Sequence, residues 1–291
     1  MSPGPQGSGD GGGPVAAPAP GMFNKDRIGE GGDARLAALV QTLDVQAEQP
    51  AVVRLRAWSL AALDPRPGET AVDVGSGTGS EVLRLAELVG QSGRAIGVEP
   101  NPGLRGVAQE RAASAGATTA SFVEGEAAAL PLDDGSVDVL RCERVLQHLD
   151  DPQAAVDDFA RVLRPGGRVA ILDSDWGTVV THPGDPQLLR RYAESNWSRM
   201  ANPFSGRHLA NQLRSAGLDV DPDIGSSALI MPPLAVVNGG LLRANAEAAV
   251  ADGHLTREEV EGLVAEVTAA AEAGTAFISV TMFAVVARKP A

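Results

Sequence analysis

Val72-Asp73-Val74-Gly75-Ser76-Gly77-Thr78-Gly79 carries a short apolar run into three glycines at alternate positions. Thr70 to Val74 reads as a strand, and Ser80 to Val89 as the helix that follows. Glycines between them let the backbone turn sharply and let a ligand approach it closely. Outward from this turn, strands and helices alternate. Arg94–Val98, Thr118–Val123, Ser136–Arg141 and Arg168–Leu172 read as strands. Gly103–Ala115 and Gln153–Leu163 read as helices between them. Such alternation predicts a parallel sheet covered on both faces, with ligands beyond the carboxyl ends of the strands.

The flanks read differently. Residues 1–32 are rich in Gly, Pro, Ser and Ala and are expected to form a disordered tail. Leu36, Leu39, Val40 and Leu43, then Val52, Leu55, Leu60 and Leu63, recur at helical spacing over 33–64. Pro50 can open the second of these helices, and Pro65-Arg66-Pro67-Gly68 closes it. After Asp175 the rhythm changes. Asp185–Met200, Ser205–Ala216, Pro232–Ala251 and Thr256–Ala273 read as helices, the last with Thr256 and Glu259 spaced as a capping box. Leu218–Ile224 is a possible strand. Phe277–Ala287 is nearly all apolar and reads as a central strand.

Composition narrows the function. The 291 residues are 44% hydrophobic and 21% charged, which fits one large globular domain with appendages. No run approaches the ~20 apolar residues of a membrane span, and no signal peptide is evident, so a cytoplasmic location is expected. The single cysteine, Cys142, excludes a disulfide scaffold and a cysteine-cluster zinc site. No metal site is expected. A formal net charge of −13 argues against a nucleic-acid partner, whose phosphates need a positive surface. A homodimer is left open.

Two cofactor classes use a strand, a glycine loop and a helix. A dinucleotide site prefers Gly-x-Gly-x-x-Gly, and here the third glycine comes one residue early, with Ser80 where glycine is wanted. Asp73 stands just before the loop. Beside a pyrophosphate it would cost about 1–4 kcal/mol at about 4 Å in high to intermediate dielectric. Beside a sulfonium and an ammonium the sign reverses, and S-adenosylmethionine carries both. Glu99 closes the second strand, where a carboxylate can accept both hydroxyls of a ribose.

Asp73–Gly79 resembles the first motif of class I S-adenosylmethionine-dependent methyltransferases. Gly97-Val98-Glu99-Pro100, Gly125-Glu126-Ala127 with Leu130-Pro131, and Leu163-Arg164-Pro165-Gly166-Gly167 follow in an order similar to the ubiquinone/menaquinone-type and natural-product small-molecule enzymes. The resemblance covers about 65–172. It implies an α/β, doubly wound, Rossmann-like sheet of seven strands, mostly parallel with an antiparallel C-terminal strand, plus a helical lid. It also implies N-terminal helices over 33–64, a cofactor-binding core over 65–175, a substrate-lid insertion over 185–251, and a final helix and strand over 252–291.

The resemblance further implies roles for particular residues. Gly75, Ser76, Gly77, Thr78 and Gly79 would form the loop under the methionine and ribose. Asp73 would face the methionyl ammonium, and Glu99 the ribose hydroxyls. Pro100 and Asn101 would border the adenine. Gly125, Glu126 and Ala127 would supply the adenine contacts, Glu126 standing where many relatives have Asp. Arg141 and Cys142 would present backbone to the methionine, although Cys142 also reads as a small buried filler.

Methyl transfer needs alignment, a dry site and, for some acceptors, a base. His148, after the fourth strand, is the first candidate base, with a role in holding a loop as the alternative. Asp175 is the second, with a turn cap as the alternative. Arg144, Trp176 and His182 are candidate acceptor contacts, Trp176 by stacking. Glu143 and Arg144 also read as a rim ion pair. Trp197, Phe204, Arg207, Leu234, Asn238 and Asn245 could line a lid or simply pack. The expected activity is methyl transfer from S-adenosylmethionine to a small, largely apolar or aromatic acceptor, such as a secondary metabolite or quinone-like ring. The rivals are a methyltransferase-fold protein that catalyses a non-methylating step or only binds the cofactor, and a nicotinamide-dependent oxidoreductase.

Overall fold

A computed structural model describes residues 32–291. The tail expected over 1–32 lies outside the described residues, apart from Gly32, which opens the first helix. Helices α1 (Gly32–Ala47) and α2 (Pro50–Leu63) precede the sheet. The alternating core follows as β1 (Thr70–Val74), α3 (Ser80–Val89), β2 (Arg94–Val98), α4 (Pro102–Ser114), β3 (Ala120–Val123), β4 (Val137–Glu143), α5 (Pro152–Val162) and β5 (Leu163–His182). Beyond it come α6 (Pro186–Trp197), α7 (Ser205–Ser215), β6 (Asp219–Val220), β7 (Gly225–Met231), α8 (Pro233–Asn238), α9 (Leu241–Ala251), α10 (Arg257–Glu272) and β8 (Phe277–Arg288).

The sheet order is β3-β2-β1-β4-β5-β8-β6, with β7 also on β8. Strands β1 to β5 are mutually parallel, and β8 runs antiparallel to β5. Asp219–Val220 pair with Arg288 and Ala287, and Gly225–Met231 pair with Ala284 to Ile278. Because β5 occupies the other edge of β8, β6 and β7 are two segments of one edge strand. The sheet therefore has the seven positions expected, with β8 inside it.

Both faces are covered, as a parallel sheet requires. On one face Val82, Leu85 and Val89 of α3 and Val52, Leu55 and Leu63 of α2 pack on Val139, Ala170 and Met282. On the other, Val156 and Phe159 of α5 and Leu209 and Leu213 of α7 pack on Leu140, Ile171 and Val285. A third cluster is separate: Leu242, Ala246 and Ala249 of α9 meet Val260, Leu263 and Val267 of α10, against Ile278 of β8. This gives the helices after β5 a core of their own. Pro186, Pro233 and Pro50 open their helices in the first turn, where a missing N–H costs nothing. The capping box is formed: Glu259 N donates to Thr256 Oγ1 at 3.2 Å, and Thr256 N donates to Glu259 Oε2 at 2.8 Å.

Three elements differ from the sequence reading. β5 does not stop at Leu172 but runs 20 residues to His182, because β8 offers it a partner all the way out. The ladder breaks between Asp175 and Val180 and then resumes. The helix expected over 232–251 is two helices, divided at Gly239-Gly240, where Gly240 takes φ 74°. The strand expected over 218–224 is only Asp219–Val220, and the longer β7 follows it.

Candidate functional site

The carboxyl ends of β1, β2 and β4 meet at the glycine loop. Gly75, Gly77 and Gly79 have φ of 70°, 53° and 82°, in the left-handed region that favours glycine. Gly79 is also pinned by space: a Cβ there would lie 2.8 Å from Phe122 Cζ and 2.9 Å from Ala108 Cβ. A Cβ on Gly75 would overlap the Val145 side chain. The Gly75 and Ser76 amides donate to Val98 O at 2.8 and 3.2 Å, tying the loop to the end of β2. Leu43 of α1 leans on Gly77, and Thr78 Oγ1 bonds Asp44 of the same helix at 3.4 Å.

Glu99 sits directly across this loop. Its Oε2 accepts from Gly77 N at 2.9 Å and its Oε1 from Asn101 N at 3.0 Å. The residue is 7% exposed. Burial pushes its carboxyl up, against the pull of those two amides and of Arg105. One donor per oxygen leaves lone pairs over, and a vicinal diol matches them in number and spacing. The Ser76 hydroxyl beneath the loop is buried and has no hydrogen-bond partner among the described residues. A ribose, with its own donors and acceptors, fits this set of groups.

Asp73 is buried and ion-paired to Arg141 of β4, at 3.1 Å. Asp73 and Arg141 are register partners, so the pair lies flat across two neighbouring strands. Arg141 also bonds Glu143 at 2.6 Å and approaches Glu81 of α3 at 3.6 Å. Arg56 of α2 grips Glu143 through two bonds of 2.6 and 2.9 Å and reaches Glu81 at 3.2 Å. Arg144 completes the set, bonding Glu143 at 3.1 Å and Gln46 of α1 at 2.7 Å. Burial pushes the Asp73 carboxyl up to about 7, with Arg141 pulling against it and Glu81 and Glu143 adding to it. Burial also works against Glu143, yet Arg144, Arg56 and Arg141 hold its carboxyl well below the usual range. The result is a low-dielectric, charge-balanced cluster in which Asp73 is the acid least secured as an anion.

A second group of side chains lies where β4 ends and the β5–β8 ladder is interrupted. Arg144 carries φ 55°, and the short 3₁₀ turn Leu146–His148 follows it. Gln147 N donates to Asp173 Oδ2 at 2.9 Å, and the Gln147 amide oxygen accepts from Trp176 Nε1 at 2.8 Å. The next residue, His148, reaches the surface, yet the surrounding protein and Arg144 disfavour its charged form and push it down to about 4. Trp197 Nε1 donates to Trp176 O at 3.0 Å, and its ring meets Phe204 edge-on at 5.3 Å. All three rings are half-buried.

Several expected residues take other roles. Asp175 is 1% exposed and bonds Arg207 through both oxygens, at 2.5 and 2.7 Å, while Gly177 N donates to its Oδ1. Its Oδ1 thus accepts two hydrogen bonds and its Oδ2 one. Arg144 points to α1 and Glu143, so the expected rim ion pair is present and an open acceptor contact is not. His182 lies seven residues beyond Asp175 along β5, paired with Phe277, on the order of 20 Å away along an extended strand. Asn101 uses its side chain to cap α4, accepting from Gly103 N and Leu104 N. Cys142 is fully buried in the core, where burial pushes its thiol up. Gly125 packs against Pro131 and Val98, Ala127 is buried below it, and Glu126 is exposed on the rim. Pro100 is half-buried at the start of the same rim, its carbonyl accepting from Arg105 at 2.9 Å.

Arg56 and Glu81 were not anticipated. Their partner Glu143 lies 87 residues from Arg56, and only the fold brings them together. A faint signal was available: Arg56 stands at helical spacing between Val52 and Leu60, both buried and apolar. Among the described residues no cluster of His, Cys, Asp and Glu has the form of a metal site, and no helix is long and apolar enough to cross a membrane.

Residues 72–171 match the family model described as a methyltransferase domain. A 37.1 kDa protein of transposon TN4556 from Streptomyces fradiae is 33% identical over 250 residues, covering 86% of this chain and 71% of that protein. Demethylmenaquinone methyltransferase from Shouchella clausii is 33% identical over 121 residues, covering 42% of this chain; the match spans only 52% of that enzyme. In fold, the crystal structure of YcgJ from Bacillus subtilis superposes with a TM-score of 0.59 at 17% identity, covering 82% of this chain and 99% of that one.

Proposed function

Because this chain belongs to the class I S-adenosylmethionine-dependent methyltransferases, we propose that it methylates a small, largely apolar or aromatic acceptor. The observation that carries this reading is the buried Glu99 carboxylate, held across a left-handed glycine loop with lone pairs to spare. A nicotinamide dinucleotide would bring its pyrophosphate to the same loop, where the third glycine comes one residue early for it.

In this reading Glu99 takes the ribose hydroxyls, and Pro100, Gly125, Glu126 and Ala127 border the adenine. Asp73 faces the methionyl ammonium, and Arg141, itself fixed by Glu143 and Glu81, holds the Asp73 carboxylate in place. Bound there, S-adenosylmethionine supplies a methyl group on a positively charged sulfur, and alignment is the main task left to the protein. The acceptor lies on the half-buried rings of Trp176, Trp197 and Phe204, under the helices that follow β5. Those helices exclude water and have the separate core that a lid needs. His148 stands at this rim as the candidate base, but the protein and Arg144 lower its pKa and make it a weak one, so it serves best for an acceptor hydroxyl that is itself readily ionised. The sequence's acidic charge of −13 favours such an acceptor over a nucleic acid.

Incubation with methyl-labelled S-adenosylmethionine and a panel of hydroquinones, naphthols, catechols and hydroxylated aromatic acids tests the proposal. Label should move to a subset of the panel, with a mass gain of one methylene per product. A protein that binds the cofactor yet labels no acceptor in the panel would contradict it.

A further inference from the structure

The methyltransferase reading leaves one cation at the acceptor end unexplained. Arg207, in the first turn of α7, extends over the Phe204 ring, its guanidinium carbon 4.8 Å from the ring centroid. Its Nε and Nη2 are taken by the two oxygens of Asp175. Its Nη1 makes no hydrogen bond among the described residues. The carboxylate is 1% exposed while the Arg207 side chain is 49% exposed. This is an asymmetric pair, in which a buried acid grips one edge of a guanidinium and leaves the other edge facing out.

The local chain is shaped around this arrangement. A Cβ at Gly177 would run into Arg207 Nη2 and lie 3.1 Å from Phe204 Cδ1. Gly206 passes close to the strand as well, where a Cβ would lie 3.1 Å from the Asp173 carbonyl and 3.1 Å from Asp175 Cβ. A solvated surface ion pair needs none of this, because two flexible side chains find each other without a buried partner or a glycine cleared beneath them. A guanidinium fixed in one orientation beside aromatic rings is suited instead to a planar anion, which it meets through parallel N–H groups. The ring beneath it is that of Phe204, which the Trp197 ring meets edge-on, and the Trp197 indole is anchored on the Trp176 backbone carbonyl.

We propose that Arg207 recognises a carboxylate on the acceptor, so that the substrate class is an aromatic acid whose ring lies along Trp197 and Phe204. This rests on the methyltransferase reading only in taking that rim as the acceptor site. Asp175 is then a positioning residue, acting through Arg207.

The test uses the full chain saturated with S-adenosylhomocysteine, with 6-hydroxy-2-naphthoic acid and its primary amide as probes, followed by calorimetry. The acid should bind at least about fivefold more tightly than the amide. Arg207→Gln should erase that preference while leaving S-adenosylhomocysteine affinity unchanged. Arg207→Lys should keep part of it, and its thermal unfolding reports whether the fold survives. Asp175→Asn should weaken the preference without touching cofactor affinity. Equal affinity for acid and amide, including no binding of either, would overturn the proposal, as would a preference that survives in Arg207→Gln. Failure to bind S-adenosylhomocysteine in the first step would instead count against the methyltransferase reading.

Discussion

At the scale of single residues, Glu99 and Asp73 do different work. Glu99 accepts two backbone amides and keeps capacity for two more donors. Removing it as Glu99→Ala should weaken S-adenosylhomocysteine binding by about 2 kcal/mol or more, roughly 30-fold, as expected for lost hydrogen bonds to a charged group. Turnover at saturating cofactor should fall much less, and titration followed by steady-state kinetics separates the two. If Asp73 meets the methionyl ammonium as proposed, binding should depend on pH. Its carboxyl is pushed up to about 7 by burial, so below that value it is substantially protonated in the free protein. A cationic ligand needs it ionised. Cofactor affinity should therefore rise with pH up to about 7, by as much as tenfold per unit, and level off above it. Calorimetry from pH 5.5 to 8.5, in buffers of different ionisation enthalpy, should show a proton released on binding at the acid end. The Asp73→Asn variant should show neither the slope nor the release.

At the scale of elements, the glycine loop and the N-terminal helices hold the site in shape. Gly79 joins a left-handed φ to a packed neighbourhood, whereas Gly240 has a similar φ with nothing within 4 Å of an added Cβ. Gly79→Ala should therefore cost about 3 kcal/mol and Gly240→Ala only about 1 kcal/mol, as read from urea unfolding. Arg56 fastens α2 to β4 and α3 through Glu143 and Glu81. Arg56→Met should cost about 2 kcal/mol in the same measurement, less than full exposure of a buried charge because Glu143 keeps Arg141 and Arg144. The alternating elements from Thr70 to Val162 could be read along the chain because each has its own apolar period and its own stop. The length of β5 could not, because Asp173-Ser174-Asp175 reads as a polar end until Ser205, Gln147 and Arg207 are seen to satisfy the two carboxylates. β7 was missed for a related reason. Gly225-Ser226-Ser227 looks like a turn, yet Gly225 is there so that the Trp58 ring can lie against the strand, where a Cβ would come 2.6 Å from Trp58 Cε3.

For the whole molecule, a seven-position sheet sets the glycine loop at the ends of β1 and β2 and an aromatic rim beyond β4, beside the interruption of the β5–β8 ladder, with the later helices packed around their own core. The loop and Glu99 were legible because both sit within one β-α-β unit. The charge cluster and the Asp175–Arg207 pair were not, because they join residues 87 and 32 positions apart. All of the account depends on what the glycine loop accepts. Isothermal titration of the full chain with S-adenosylhomocysteine and, separately, with a nicotinamide dinucleotide tests that most directly. We expect one saturable site of micromolar-range affinity for S-adenosylhomocysteine and no heat from the dinucleotide. Heat from the dinucleotide alone, or from neither, would contradict the account.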